Sequence, residues 1–178
     1  MPLIKTYEKE EATGELLEIY EEIIKLRGEI GNNAKLFSSS TELLKQQLEF
    51  IKYYATHETL SMPLLASIRV CVSNQEKCNF CIDFNSALLI NKAKWSSEDV
   101  NMLKDKKYCE KLTKEENALL KFVINSVKNP HAVSENTISE LKEQNWSDKD
   151  ILDALNHGAR MYATDILFNS FKIEDYQV

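Results

Sequence analysis

The chain has 178 residues, with 28 acidic against 22 basic side chains and a net charge of −6. That length suits one domain, residues 1–178, with a core that needs no disulfide or metal staple, and 43% hydrophobic with 28% charged residues is an ordinary globular composition. The acidic balance argues against a nucleic-acid footprint and against anchoring to anionic membranes, and only 4 Gly and 3 Pro are too few for an all-β chain with many tight turns.

Apolar residues recur at helical spacing almost everywhere. A first helix over 14–27 carries Leu16, Tyr20, Ile23 and Ile24, and Gly28 stops it. A loop runs from Gly28 to Phe37. Ser39-Ser40-Thr41-Glu42 has the pattern of a capping box and opens a second helix with Leu44, Leu48, Ile51 and Ala55. Ser61-Met62-Pro63 opens a third, whose inner face is Leu64, Ile68, Cys71 and Val72. After a break at Asn74 to Lys77 comes a helix over 79–92, with Cys81, Phe84 and Leu88 facing inward. Ser96, Thr113, Ser134 and Ser147 each cap a further helix, the sixth ending at Asn129-Pro130. The last is long and carries Leu152, Leu155, Ala159, Tyr162, Ile166 and Leu167. The expectation is an all-α single-domain helical bundle of about eight helices, without linkers or repeats.

Chemistry concentrates at Glu76-Lys77-Cys78-Asn79-Phe80-Cys81-Ile82-Asp83-Phe84-Asn85. Two cysteines three apart at a helix start can close a disulfide, and the helix N-terminus favours a thiolate. The start Met1-Pro2-Leu3-Ile4-Lys5 has no leader pattern and no apolar run reaches membrane-span length, so a cytoplasmic protein is expected. In that reducing setting a CxxC is redox-active or metal-binding more often than structural. Three readings stay open: a redox dithiol, an inert pair of small buried residues, and half of a zinc site, which would need two further ligands. Cys71 and Cys109 stand alone on helical faces as small hydrophobes. Asn85, four residues after Cys81, shares its helix face; it can orient a thiolate but has no proton to exchange. Asp83 points away, and Glu76 and Lys77 are flanking loop charges. His57, His131 and His157 are scattered; His57 or His157 is a candidate for a replacement proton relay. Trp95 and Trp146 sit near helix caps as packing anchors.

Glu10-Glu11-Ala12-Thr13-Gly14-Glu15-Leu16, then Ile68-Arg69-Val70-Cys71-Val72-Ser73 with Cys78-Asn79-Phe80-Cys81-Ile82-Asp83, then Leu112-Thr113-Lys114-Glu115-Glu116-Asn117-Ala118-Leu119 and Asn129-Pro130-His131-Ala132-Val133-Ser134 stand in collinear order. Together they resemble the carboxymuconolactone decarboxylase/AhpD-like family, in particular its peroxidase-related alkylhydroperoxidase branch. The resemblance implies an all-helical AhpD-like fold, assembled as a homo-oligomer: a dimer, trimer or hexamer. It implies a thiol-dependent peroxidase or thiol–disulfide oxidoreductase in which the CxxC reduces hydroperoxides. Cys81 would attack, Cys78, nearer to solvent, would resolve, and an external thiol or dithiol would return the electrons. The implied partners are thus a hydroperoxide and a thiol reductant, with no nucleic acid, no membrane and no cofactor beyond the Cys78–Cys81 disulfide. The family's relay histidine falls on Asn85 and its relay glutamate, twelve residues before the first cysteine, on Ala66. Both relay groups are missing, which implies weak activity, with a non-catalytic oligomeric or redox-sensing member as the alternative. Lactone decarboxylation, tied to the family name, has no evident use for the CxxC.

Overall fold

The computed structural model describes residues 1–176, and all regular structure among them is helical. The helices are α1 (Gly14–Arg27), α2 (Asn32–Phe37), α3 (Thr41–Ala55), α4 (Met62–Glu76), α5 (Asn79–Asn91), α6 (Ser97–Lys106), α7 (Lys114–Lys128), α8 (Glu135–Glu143) and α9 (Asp148–Phe171), with 3-10 turns at Lys9–Glu11 and Pro130–Ala132. The ninth helix beyond the expected eight is α2, inside the segment read as a loop. Six residues are too few to show a period, and its N-cap Gly31 offers no side chain as a start signal. None of the described helices is long and apolar enough to cross a membrane.

The chain folds into two compact units, Met1–His57 with Leu167–Asp175, and Glu58–Ile166 with Tyr176. In the first, Leu16, Ile19, Tyr20 and Ile23 of α1 pack with Ala34, Leu44 and Leu48. Tyr20 is fully buried, and its hydroxyl donates to the Tyr7 carbonyl at 2.7 Å, so the one polar atom of that ring is satisfied. Ion pairs Glu15–Lys45 and Glu22–Lys52 tie the outer faces of α1 and α3 at 2.7 Å each. The predicted capping box at Ser39 to Glu42 does not form: Ser40 is the N-cap without a side-chain cap bond, and Ser39 donates instead to the Lys5 carbonyl.

The second unit is built around α4. Leu64 to Ile68 and Val70 to Ser73 are all buried, so this helix is covered on nearly every side. Ser61 caps its start, accepting from Leu64 N at 3.2 Å, with Pro63 in the first turn as expected. Ser96, Thr113 and Ser134 cap α6, α7 and α8 as the sequence predicts. Trp95 is buried and Trp146 Nε1 donates to the Glu115 carbonyl at 3.1 Å, both as packing anchors.

The position of α9 depends on Gly158. A Cβ there would stand 2.4 Å from Val123 Cγ1 of α7 and 3.4 Å from Ile68 Cγ2 of α4, so the helices approach too closely for any other residue. The face of α9 that the close approach buries is Ile151, Ala154, Met161 and Asp165. This corrects the sequence reading, which placed the apolar residues of this helix at Leu152, Leu155, Ala159, Tyr162, Ile166 and Leu167. Leu152, Tyr162 and Ile166 are instead among the exposed large hydrophobic residues, at 68%, 38% and 48%.

Candidate active site

The joint between α4 and α5 is two residues long. Lys77 adopts the left-handed conformation at φ 55°, and the backbone N–H groups of both Lys77 and Cys78 turn back onto the Ser73 carbonyl. This closes the C-terminus of α4 in the manner that usually calls for glycine, and it sets Cys78 as the N-cap of α5. Cys81 is then the third helical residue, and Ile82 N–H closes the first turn on the Cys78 carbonyl at 3.0 Å. Both cysteines therefore sit where the helix start was expected, as free thiols.

The structure adds a third group that the sequence reading missed. Asp165 of α9 brings a carboxylate oxygen to the pair, and the two Sγ atoms and this oxygen all lie within 4.8 Å of one another. Cys78, Cys81 and Asp165 are 1%, 2% and 0% exposed. Cys78 is thus no nearer to solvent than Cys81, a correction to the expected division between an inner and an outer sulfur. Ser73, whose carbonyl caps the α4–α5 joint, also donates its hydroxyl to Asp165 Oδ1 at 3.0 Å. The other oxygen, Oδ2, is buried with no partner at hydrogen-bond length.

The electrostatics differ from the helix-dipole expectation. The Cys81 thiol is pushed well up, first by its hydrogen bond with Cys78, then by burial, then by the negative Asp165. The positive helix end that would favour a thiolate is outweighed, because these three causes act within the same buried space. Burial likewise pushes the Asp165 carboxyl up to about 6, against the pull of the donor groups around it, Cys81, Ser73 and Cys78, which favour the charged form, with Glu76 adding a smaller push upward. Glu76 is accordingly more than a flanking loop charge, whereas Lys77 and Asp83 are exposed. Two thiols and a carboxylate also form part of a donor set that zinc accepts.

Asn85 is buried, not on the surface, and both ends of its amide are committed. Nδ2 donates to the Cys81 carbonyl at 2.8 Å and Oδ1 accepts from Arg69 Nε at 2.5 Å. Neither hydrogen bond goes to a sulfur. Arg69 Nη1 meets His157 Nε2 at 2.9 Å. A guanidinium only donates, so Nε2 accepts and the ring proton belongs on Nδ1. His157 thereby belongs to a chain running from the Cys81 backbone through Asn85 and Arg69. His57 lies in the first unit, its ring stacked on Tyr54 at 6.0 Å. Ala66 is fully enclosed in α4 and carries no polar atom. Cys71 is buried alone, its thiol pushed up to about 12 by burial, and Cys109 is also buried. Beside the dithiol, the rings of Phe80 and Phe84 stack at 6.0 Å, and Tyr176 meets both edge-on.

Asp165 left little trace in the sequence. It stands 84 residues after Cys81, with no motif around it. The available signal was an acidic residue in register with Ile151, Ala154, Gly158 and Met161, and it was hidden because the other face of α9 is the more apolar one.

No protein-family model and no curated protein matches the chain. Solved structures do. An uncharacterized peroxidase-related protein from Ralstonia eutropha JMP134, described as an alkylhydroperoxidase AhpD core, superposes with a TM-score of 0.86 at 15% identity, over 99% of this chain and 93% of that one. An uncharacterized peroxidase-related protein from Silicibacter sp. TM1040 gives 0.81 at 18% identity, over 98% and 89%. A protein of unknown function from Agrobacterium tumefaciens, described as a candidate antioxidant-defence protein AhpD, gives 0.65 at 17% identity, over 80% and 96%. The chain therefore has the all-α AhpD-like fold, as the sequence resemblance implies.

Proposed function

We propose that this chain, built on the AhpD-like fold, is a thiol-dependent peroxidase whose Cys78 and Cys81 cycle between dithiol and disulfide. The observation that carries the reading is the meeting of two free thiols and a carboxylate within 4.8 Å at the start of α5. The oxidant is a hydroperoxide. Two thiols and ROOH become a disulfide, ROH and water, with a sulfenic acid as the intermediate. The reductant is an external thiol or dithiol, which returns the pair by exchange. The pair itself is the redox group. The peroxidase-related descriptions of the structural neighbours support the same chemistry, and a reducing cytoplasm is the compartment in which such a pair works. The whole chain acts as one AhpD-like domain, and the exposed apolar face of α9 supports a homo-oligomer.

A second reading is favoured by one observation, the burial of both sulfurs to 2% exposure or less. A pair so enclosed, without the relay histidine and glutamate, suits a slow redox sensor or a non-catalytic member. One assay separates the two. Peroxide consumption is followed with a generic dithiol for the wild type, Cys81→Ser and Cys78→Ser. The peroxidase reading expects many turnovers per chain, lost in Cys81→Ser. A single stoichiometric oxidation without turnover supports the sensor, and thiols that stay free under excess peroxide overturn both.

A further inference from the structure

We infer that Asp165 is the proton acceptor of the dithiol, taking the thiol proton as sulfur attacks and returning it to the departing oxygen. The inference rests on the thiol-dependent reading above and names the group that does the work of the missing relay.

The geometry carries it. Asp165 approaches from α9, on the far side of the sequence from the CxxC, yet its carboxylate meets both sulfurs. One oxygen is fixed by Ser73 at 3.0 Å, which leaves Oδ2 as an enclosed acceptor without a hydrogen-bond donor of its own. The groups that act on Asp165 are Cys78, the N-cap of α5, Cys81 in its first turn, and Ser73 and Glu76 of α4. Of the cationic side chains on this stretch, Arg69 is engaged with Asn85 and His157, and Lys77, which precedes Cys78, is exposed. A buried carboxylate held against two thiols is costly to ionise, and its carboxyl is accordingly pushed up to about 6. A group with that value is ionised near neutral pH and still basic enough to take a proton in a transition state.

The steps balance. The proton on Cys81 Sγ passes to Asp165 as the sulfur attacks the hydroperoxide. An S–O bond forms, the O–O bond breaks, and Asp165 returns the proton to the leaving alkoxide. The products are ROH and the Cys81 sulfenic acid. Cys78 Sγ then attacks the Cys81 sulfur and gives its own proton to Asp165. The S–O bond breaks, the departing hydroxide collects that proton as water, and the disulfide remains. Asp165 ends as it began, and the two electrons have passed from the thiols to the peroxide.

The experiment follows disulfide formation with hydrogen peroxide from pH 5 to 9 in the whole protein, for the wild type, Asp165→Asn and Asp165→Glu, with folding checked by circular dichroism. The amide of Asn keeps the acceptor for Ser73 but cannot take a proton. The expected wild-type rate rises as pH passes through about 6 and then levels. Asp165→Asn should be slower by about 10²-fold or more at pH 7, with the step near pH 6 gone and no new rise by pH 9, because Cys78 and burial still hold the Cys81 thiol up. Asp165→Glu should recover part of the rate. The opposite sign is equally readable. Asp165 raises the Cys81 thiol by its charge, so a merely bystanding anion makes Asp165→Asn faster than the wild type, and that result overturns the assignment. Purified protein carrying one zinc per chain, lost in Asp165→Asn, also overturns it and makes Asp165 a metal ligand. A wild type that oxidises normally with an unchanged Asn variant defeats the Asp165 role alone, whereas a wild type whose thiols never oxidise defeats the dithiol reading and this role together.

Discussion

Among the buried polar side chains that stand beside cysteines in the second unit, Asn117 and Asp165 are built on opposite terms. Asn117 of α7 is neutral and fully satisfied. Its Oδ1 accepts from Cys109 N at 3.1 Å, and Nδ2 faces the carbonyls of Cys109, Leu112 and Thr113 at 2.9, 3.1 and 3.0 Å. It stitches the segment 109–113 to the start of α7, and nothing in that arrangement is left to react. Asp165 is ionisable, has one oxygen held and one open, and faces two thiols. A fully satisfied network rigidifies a fold, whereas a partly satisfied one costs stability and persists where chemistry uses it. The difference separates a structural cysteine environment from the one proposed to react better than burial does, since all four cysteines are buried.

The sharpest way to break that comparison is to give Asn117 the chemistry of Asp165. Asn117→Asp keeps Oδ1 for Cys109 N but replaces two N–H donors with an oxygen set against three carbonyls. The expected loss is about 3–5 kcal/mol, the usual cost of an uncompensated buried charge, read as the shift of a urea unfolding curve. A loss under about 1 kcal/mol would mean that Asn117 is not the structural clamp its hydrogen bonds suggest.

The converse exchange, Asp165→Asn, should stabilise. Moving a carboxyl from its ordinary 3.8 to about 6 is worth about 3 kcal/mol between its two protonation states. The folded value lies above the unfolded one, so the folded chain binds the extra proton between pH 4 and 6. Wild-type stability therefore falls as pH rises through that window and stays lower above it. The neutral variant lacks this fall. Its expected gain is up to about 3 kcal/mol at pH 8, with a melting temperature raised by about 2–4 °C for each kcal/mol, and no gain at pH 4. Equal melting temperatures at pH 8 would show that the ionised carboxylate costs the fold nothing.

Gly158→Ala tests the placement of Asp165 without touching it. The new methyl meets Val123 Cγ1 at 2.4 Å, closer than a core tolerates without movement. Overpacking of this kind typically costs about 1–3 kcal/mol. Asp165 follows Gly158 by seven residues, two turns along the same helix, so displaced α9 should also slow disulfide formation at pH 7. A variant that loses stability but oxidises at the wild-type rate would uncouple the helix contact from the site.

The parts legible in the sequence were those encoded by neighbours along the chain. The caps at Ser61, Ser96, Thr113 and Ser134, the stop at Gly28 and the cysteine pair at the start of α5 are all local patterns, and the structure has each of them. Asp165, the bond from Arg69 to the Asn85 amide and the share of the raised Cys81 thiol that comes from burial and Asp165 were not legible, because each depends on what other helices bring to the start of α5. The rank of electrostatic effects was also out of reach. A helix N-terminus can be read from a sequence, but the burial and the neighbouring carboxylate that outweigh it cannot. The inverted assignment of the faces of α9 has the same root: Gly158 and Asp165 make the buried face look polar, and Leu152, Tyr162 and Ile166 make the exposed one look like core.

That exposed face supplies the smallest expected effect on a single folded chain and the clearest one on assembly. Leu152, Ala159 and Ile166 recur every seven residues, with Leu155 and Tyr162 between them, so the stripe follows one side of α9 for about four turns. Exposed apolar side chains in one contiguous row are uncommon on monomers and usually mark a contact surface. A pair of lysines, Leu152→Lys with Ile166→Lys, would remove this character without entering the core. Surface substitutions of this kind usually change the stability of a single chain by no more than about 0.5 kcal/mol. The wild type should run on a sizing column with light scattering at two or more times the 20.5 kDa of one chain, and the double variant should move toward 20.5 kDa while its circular dichroism stays the same. A wild type that is already monomeric at micromolar concentration removes the homo-oligomer. An oligomer that survives both lysines places its interface elsewhere. If the variant dissociates and its dithiol oxidises at the wild-type rate, the Asp165 site is complete within one chain, as its residues in α4, α5 and α9 suggest. If oxidation slows on dissociation, a neighbouring copy contributes to access or to orientation, and the missing relay would then be sought across that contact.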